Sequence, residues 1–153
     1  MKILILYSIL ALCSCQQKKG NDTAAKSKET IATVKTGSIS PGCYQMIIAR
    51  DTALMNITVE GNKVSGTLDY NRFQKDDNKG TFAGTIDSSR VITWYNFQSE
   101  GMASIRQIIF KIEGNTMVEG YGDLELKSDT VFYKYPHAIN YEEGHHYEKI
   151  SCK

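Results

Sequence analysis

From residue 42 to the end of the chain, apolar and polar residues alternate with a period of two in short runs, each stopped by Gly, Asn, Asp or Ser. That period places successive side chains on opposite faces of a pleated strand. Between 63 and 70, Val64, Gly66, Leu68 and Tyr70 share one face; between 80 and 86, Phe82, Gly84 and Ile86 oppose Thr81, Ala83 and Thr85. Similar runs predict strands over 43–50, 54–60, 91–97, 103–113, 116–121, 124–127, 130–134 and 147–151. Asp51-Thr52-Ala53, Glu60-Gly61-Asn62, Asp87-Ser88-Ser89, Ser99-Glu100-Gly101 and Glu113-Gly114-Asn115 supply intervening turns. No apolar stripe at helical spacing lasts more than two turns.

These elements predict an all-β domain, a single small antiparallel meander of about eight strands that closes into a lipocalin-like β-barrel. Roughly 110 residues suffice for one hydrophobic core. Closure removes the unpaired edges that a long open meander would expose. Gly66, Gly84, Gly120 and Gly122 fall inside the expected strands, where they weaken pairing unless the sheet bends sharply, as a small barrel requires.

The first 41 residues are different in kind. Lys2 precedes an apolar run of about ten residues, which is signal-peptide length and too short to span a bilayer. From Gln16 to Pro41 there is no aromatic residue, and Lys, Ser, Thr, Ala, Gly, Gln and Asn dominate. Such a segment cannot bury enough apolar surface to order itself, so it reads as a flexible tether with an end-to-end distance of roughly 25–30 Å. Lys18, Lys19, Lys26, Lys28 and Lys35 outnumber Asp22 and Glu29 in it, which suits weak attraction to anionic headgroups as well as solubility. The part that follows carries 12 Lys/Arg against 15 Asp/Glu. A mildly acidic domain without a basic stripe gives no support to nucleic-acid binding.

The apolar run ends in Leu12-Cys13-Ser14-Cys15, which resembles a bacterial lipobox: an aliphatic residue, a spacer, a small residue, then cysteine. The resemblance implies that the signal 1–14 is cut away, that Cys15 is acylated, and that 15–41 becomes a lipidated tether for a barrel domain over 42–153. Cys13 suits the cut less well, because Leu12 would occupy the position that takes a small residue. Gln16 at the next position, in place of Asp, is what similar proteins sent to the outer membrane carry. The implied address is the cell envelope, with a membrane as partner through the N-terminal lipid; an ordinary secretory signal is the alternative. With Cys13 removed and Cys15 capped, Cys43 and Cys152 remain of the four cysteines. In an oxidising envelope that pair reads as a disulfide between the first strand and the last, with two free thiols as the alternative.

His137, His145 and His146, with Glu142 and Glu143 close by, raise the question of a metal site. Adjacent histidines in a strand point to opposite faces, and zinc needs three or four converging ligands, so no metal and no cofactor is expected. No Ser/His/Asp order, Cys-x-x-Cys pair, HExxH motif or phosphate-cradling Gly loop is found, and the expected protein is not an enzyme. Aromatic and polar groups mix most densely in Trp94-Tyr95-Asn96-Phe97-Gln98-Ser99-Glu100-Gly101-Met102-Ala103-Ser104-Ile105-Arg106 and in Val118-Glu119-Gly120-Tyr121-Gly122. Together these segments resemble small Gram-negative cell-envelope lipoproteins of uncharacterised function, a resemblance that spans 42–152 and implies an address but no activity.

In the expected meander Arg106 lies across from Glu119, with Trp94 or Tyr95 beside the pair. Trp94, Tyr95, Glu100, Arg106, Glu119 and Tyr121 are therefore the candidate ligand-binding residues; a polar turn network around an aromatic core would use the same residue types. Asp22-Thr23-Ala24, Asp51-Thr52-Ala53 and Asp129-Thr130-Val131 resemble the Asp-Ser/Thr-aliphatic pattern of O-glycosylation in some Gram-negative envelopes. That makes Thr23, Thr52 and Thr130 candidate acceptors, although the turn preference of Asp and Thr produces the same pattern. Two functions remain: a binding module for a small apolar or glycan ligand, or an envelope assembly factor or inhibitor that contacts another protein. A barrel cavity of roughly several hundred Å³ favours the first, and a filled interior the second.

Overall fold

Ten strands and no helix form in residues 38–152, the part of the chain that the computed structural model describes. The signal peptide, Cys15, Thr23 and most of the tether lie outside the described residues. The strands are β1 (Gly42–Ile48), β2 (Asp51–Glu60), β3 (Lys63–Asn71), β4 (Asn78–Asp87), β5 (Arg90–Ser99), β6 (Met102–Glu113), β7 (Thr116–Tyr121), β8 (Leu124–Lys127), β9 (Thr130–Tyr133) and β10 (Asn140–Ile150). Each strand from β1 to β6 pairs antiparallel with the next, and β10 returns to lie between β7 and β1. The circle β1-β2-β3-β4-β5-β6-β7-β10 is a closed eight-stranded antiparallel meander barrel. β8 and β9 form a hairpin outside the circle, attached where β9 runs parallel to β6 at Ile105 and Arg106.

Eight strands leave an interior only just wide enough for side chains, and here side chains fill it. Tyr44, Tyr95, Tyr147, Phe110, Met55 and Leu68 are among the fully buried residues that meet in the centre. Gly66 and Gly84 make that filling possible. Both lie on the inner face, and a Cβ at Gly66 would run into the Asn56 carbonyl, while one at Gly84 would run into that of Ile92. The neighbouring strands coil inward at these points, as the in-strand glycines predict. Gly120 acts differently, by letting Ile139 and Tyr141, from the segment ahead of and into β10, close over the outside of β7. Gly122 lies beyond the end of β7, outside any strand.

Three expectations about strands need correction. Asp51, Thr52 and Ala53 belong to β2, and the β1–β2 turn is the two residues Ala49-Arg50. Ala49 takes φ 54°, a left-handed conformation that no Gly or Asn announces. β10 begins at Asn140, seven residues ahead of the expected Tyr147, and a register shift between Asn140 and His145 explains why its first half shows no alternation. β6 meets β7 only over Phe110–Glu113, so its first half parts from β7 and takes β9 as its neighbour.

That parting opens one end of the barrel, hereafter the mouth, which is rimmed by the 49–50 turn, the 72–77 loop, the 100–101 turn and the end of β7. The opposite end carries the 61–62, 88–89 and 114–115 turns and the Cys43–Cys152 disulfide. Ile39, three residues ahead of β1, packs into the core at this closed end, and the Tyr44 hydroxyl donates to the Ser40 carbonyl at 2.7 Å. The disulfide closes a loop with a sequence separation of 109 residues. Chain entropy assigns such a loop up to about 4–5 kcal/mol. Cys43→Ser and Cys152→Ser should therefore lower the thermal midpoint by equal amounts, and the double variant by little more, since each removes the same bond. Unequal single effects that sum in the double variant would show that the cysteines act separately.

Candidate functional site

Glu119 sits on the inner face of β7 and is buried at 7% exposure in a largely apolar core, where it is the buried acidic residue among those described. A buried carboxylate is costly unless donors hold it. Two do: the Tyr147 hydroxyl donates to Oε2 at 2.8 Å from β10, and the Tyr70 hydroxyl at 3.1 Å from β3. Burial pushes the Tyr70 and Tyr147 hydroxyls well above the usual tyrosine range, and the Glu119 charge pushes them further. Both therefore remain protonated donors throughout the neutral range.

Arg106 lies nearer the mouth, half-buried on the inner face of β6. Its guanidinium stands over three rings, 5.1 Å from the centre of Tyr70, 5.7 Å from Tyr95 and 5.6 Å from Phe97. Those rings are themselves ordered, with Tyr95 and Phe97 stacked at 4.8 Å and the Tyr95 hydroxyl donating to the Leu68 carbonyl at 2.6 Å. Cation–π contact supports the charge. Burial works against the charge and the nearby Glu119 carboxylate works for it, and the guanidinium is held more firmly protonated than usual. Arg106 is not in an ion pair; among the described residues those are Arg90–Asp87 and Lys111–Glu113. Its Nε is buried without any hydrogen-bond partner.

A depression of about 260 Å³ opens at this end, lined by Glu119 and Arg106 with Met46, Ile48, Asp51, Arg72, Lys75, Tyr70, Tyr121 and His145 among others. Tyr121 and His145 face each other across it, Oη to Nδ1 at 2.6 Å. The 72–77 loop is held over the rim by Asp51, whose carboxylate accepts from the Phe73 backbone N–H at 2.8 Å. A larger concavity of about 500 Å³ lies against the outside of β1–β3, beside Cys43 and Ile150. It contains no buried charge, whereas the mouth sets Arg72 and Lys75 beside the unpaired donor of Arg106. The mouth is the better candidate site.

The structure brings together Tyr95, Arg106, Glu119 and Tyr121, and leaves Trp94 and Glu100 apart. Trp94 alternates to the outer face of β5, opposite Gln107, and is 44% exposed. Glu100, at φ 52°, and Gly101, at φ 77°, form the turn at the rim, and the carboxyl of Glu100 is raised by a hydrogen bond with Asp76 and faces the 72–77 loop instead of Arg106. Arg106 and Glu119 are not opposite one another: Glu119 pairs with Phe110 and His145, and Arg106 with Tyr95 and Val131. Thr52 and Thr130 are half-buried and paired within ladders, not displayed on turns. Tyr70, Tyr147 and Arg72 complete the site without any local signal in the chain, and His145, singled out in the sequence only as a candidate metal ligand, joins them. No protein-family model, curated protein or solved structure matches this chain.

The two charges should respond unequally to removal. Glu119→Ala strands two buried hydroxyls at about 1–3 kcal/mol each, so a loss of roughly 3 kcal/mol or more is expected. Arg106→Met keeps the apolar stem and deletes an unsatisfied donor, and should change stability by less than about 1 kcal/mol. Denaturant unfolding of both variants checks this. An Arg106→Met loss as large as that of Glu119→Ala would make Arg106 a structural member of the core.

Proposed function

We propose that this chain is a membrane-anchored envelope lipoprotein whose barrel mouth binds the anionic end of a ligand. The buried, unpartnered Nε of Arg106 carries the reading, because a buried donor without an acceptor is rare unless a bound group supplies one. Arg72 and Lys75 add positive charge at the same opening. The depression of about 260 Å³ lies below the roughly 300–1,000 Å³ that encloses a drug-sized ligand. It suits a charged terminal group with the remainder of the ligand outside. A carboxylate matches the planar guanidinium, as in an acidic sugar, a peptide C-terminus or a fatty acid. The described chain enters β1 at the closed end, beside the disulfide.

The filled interior favours a second reading, in which the rim loops contact another envelope protein and no small molecule is held. Calorimetric titration with a uronic acid, a short-chain fatty acid and a short peptide separates the two. Calorimetry suits this protein because Trp94, on the outer face, is poorly placed to report on the mouth. The proposal expects saturable binding of at least one carboxylate, abolished by Arg106→Met. Silence from all three, or equal binding by the variant, overturns it in favour of the second reading.

The anchor rests on the lipobox resemblance at Leu12–Cys15 and is tested independently. Intact-mass measurement on the membrane fraction should find a mature chain that begins at Cys15 and carries acyl groups. An unacylated soluble protein beginning elsewhere removes the membrane from this reading.

A further inference from the structure

We propose that β8 is a self-pairing edge through which two copies of this chain associate. Barrel closure leaves every strand of the circle with two neighbours, and β8 alone in the described sheet has one. All four of its residues are exposed, with Leu124 at 60% and Leu126 at 68%. Its register with β9 is regular, Leu124↔Tyr133 through Lys127↔Thr130, with neither a bulge nor a proline to blunt the edge.

The backbone shows which groups are free. Lys134 N–H donates to the Asp123 carbonyl at 2.8 Å, so the inward-bonding residues are Asp123 and, by the two-residue alternation of an antiparallel ladder, Glu125 and Lys127. The N–H and C=O groups of Leu124 and Leu126 then point away from β9. A second β8 running antiparallel and centred on Leu126 exchanges both hydrogen bonds between the two Leu126 residues. The same register sets Glu125 of each copy opposite Lys127 of the other, at the non-hydrogen-bonded positions where cross-strand side chains come closest.

Other registers are discouraged by charge. Centring on Glu125 opposes it to its own copy, and centring on Leu124 opposes it to Asp123. In the chosen register Asp123 and Asp129 meet only beyond the strand ends. Lysine on an edge ordinarily repels a second strand; here Glu125 converts that repulsion into a choice of register. The leucines gain as well. Leu126 shares a face with Val131 and Arg106 through the row Leu126↔Val131↔Arg106. Pairing sets the Leu126 side chains against each other and joins two hairpins, each marginal alone, into a four-stranded ribbon. Both barrel mouths then open on the same face of that ribbon.

Sedimentation velocity of the whole chain in non-ionic detergent tests the pairing. The wild type should move from monomer to dimer as concentration rises. Glu125→Lys should remain monomeric over the same range, and Glu125→Lys combined with Lys127→Glu should recover the dimer. Circular dichroism checks that each variant folds, which exposed positions on a peripheral hairpin should allow. A wild type that remains monomeric, a dimer indifferent to Glu125→Lys, or a folded double variant that fails to recover overturns the proposal.

Discussion

A carboxylate placed among tyrosines, methionines and isoleucines must be held by donors, and the Glu119 contacts are the constraint around which this barrel is organised. Tyr147 lies 28 residues away in sequence and Tyr70 lies 49. The three side chains come from β7, β10 and β3, so one polar node spans the interior and ties together strands that meet only after closure. β10 is the strand that closes the circle, and its buried tyrosine finds its acceptor only when it lies between β7 and β1. The cost of leaving these groups unpaired discriminates against alternative placements of the last strand.

The same node shapes the mouth. The negative charge of Glu119 helps to keep Arg106 protonated in a half-buried position without a direct ion pair. Below this level the core is filled by aromatic and long aliphatic side chains. Above it, β6 leaves β7 and is joined by β9, and a depression forms between the strands. The space that a wider barrel would keep at its centre is displaced to one end, where cationic side chains gather around it.

Much of the fold was legible in the sequence, because a period of two survives wherever one face of a strand is buried and the other wet. Gly66 and Gly84 marked the points of tight coiling. The misread places are those where local chemistry and tertiary context disagree. Ala49 holds a turn that a glycine would have announced, and the bulged start of β10 has no alternation to read. The parting of β6 from β7 depends on the β8–β9 hairpin, which no local pattern of β6 foretells. In the site, Arg106 and Glu119 stood out as charges in apolar strands. Their setting did not, because Tyr70 and Tyr147 look like ordinary core tyrosines until the barrel closes. Trp94 and Tyr95 are adjacent in sequence, and only the register assigns one to the outside and the other to the core.

Arg106 keeps a buried, unpaired Nε beside the mouth, held by rings in place of an ion pair. The Nε–H resonance of Arg106, observed by nitrogen-15 NMR and assigned with Arg106→Met, tests it directly. A resolved signal is expected at the position of a non-hydrogen-bonded guanidinium, moving downfield as a carboxylate is added. A signal already at a hydrogen-bonded position in the ligand-free protein, and unmoved by any carboxylate, would contradict it.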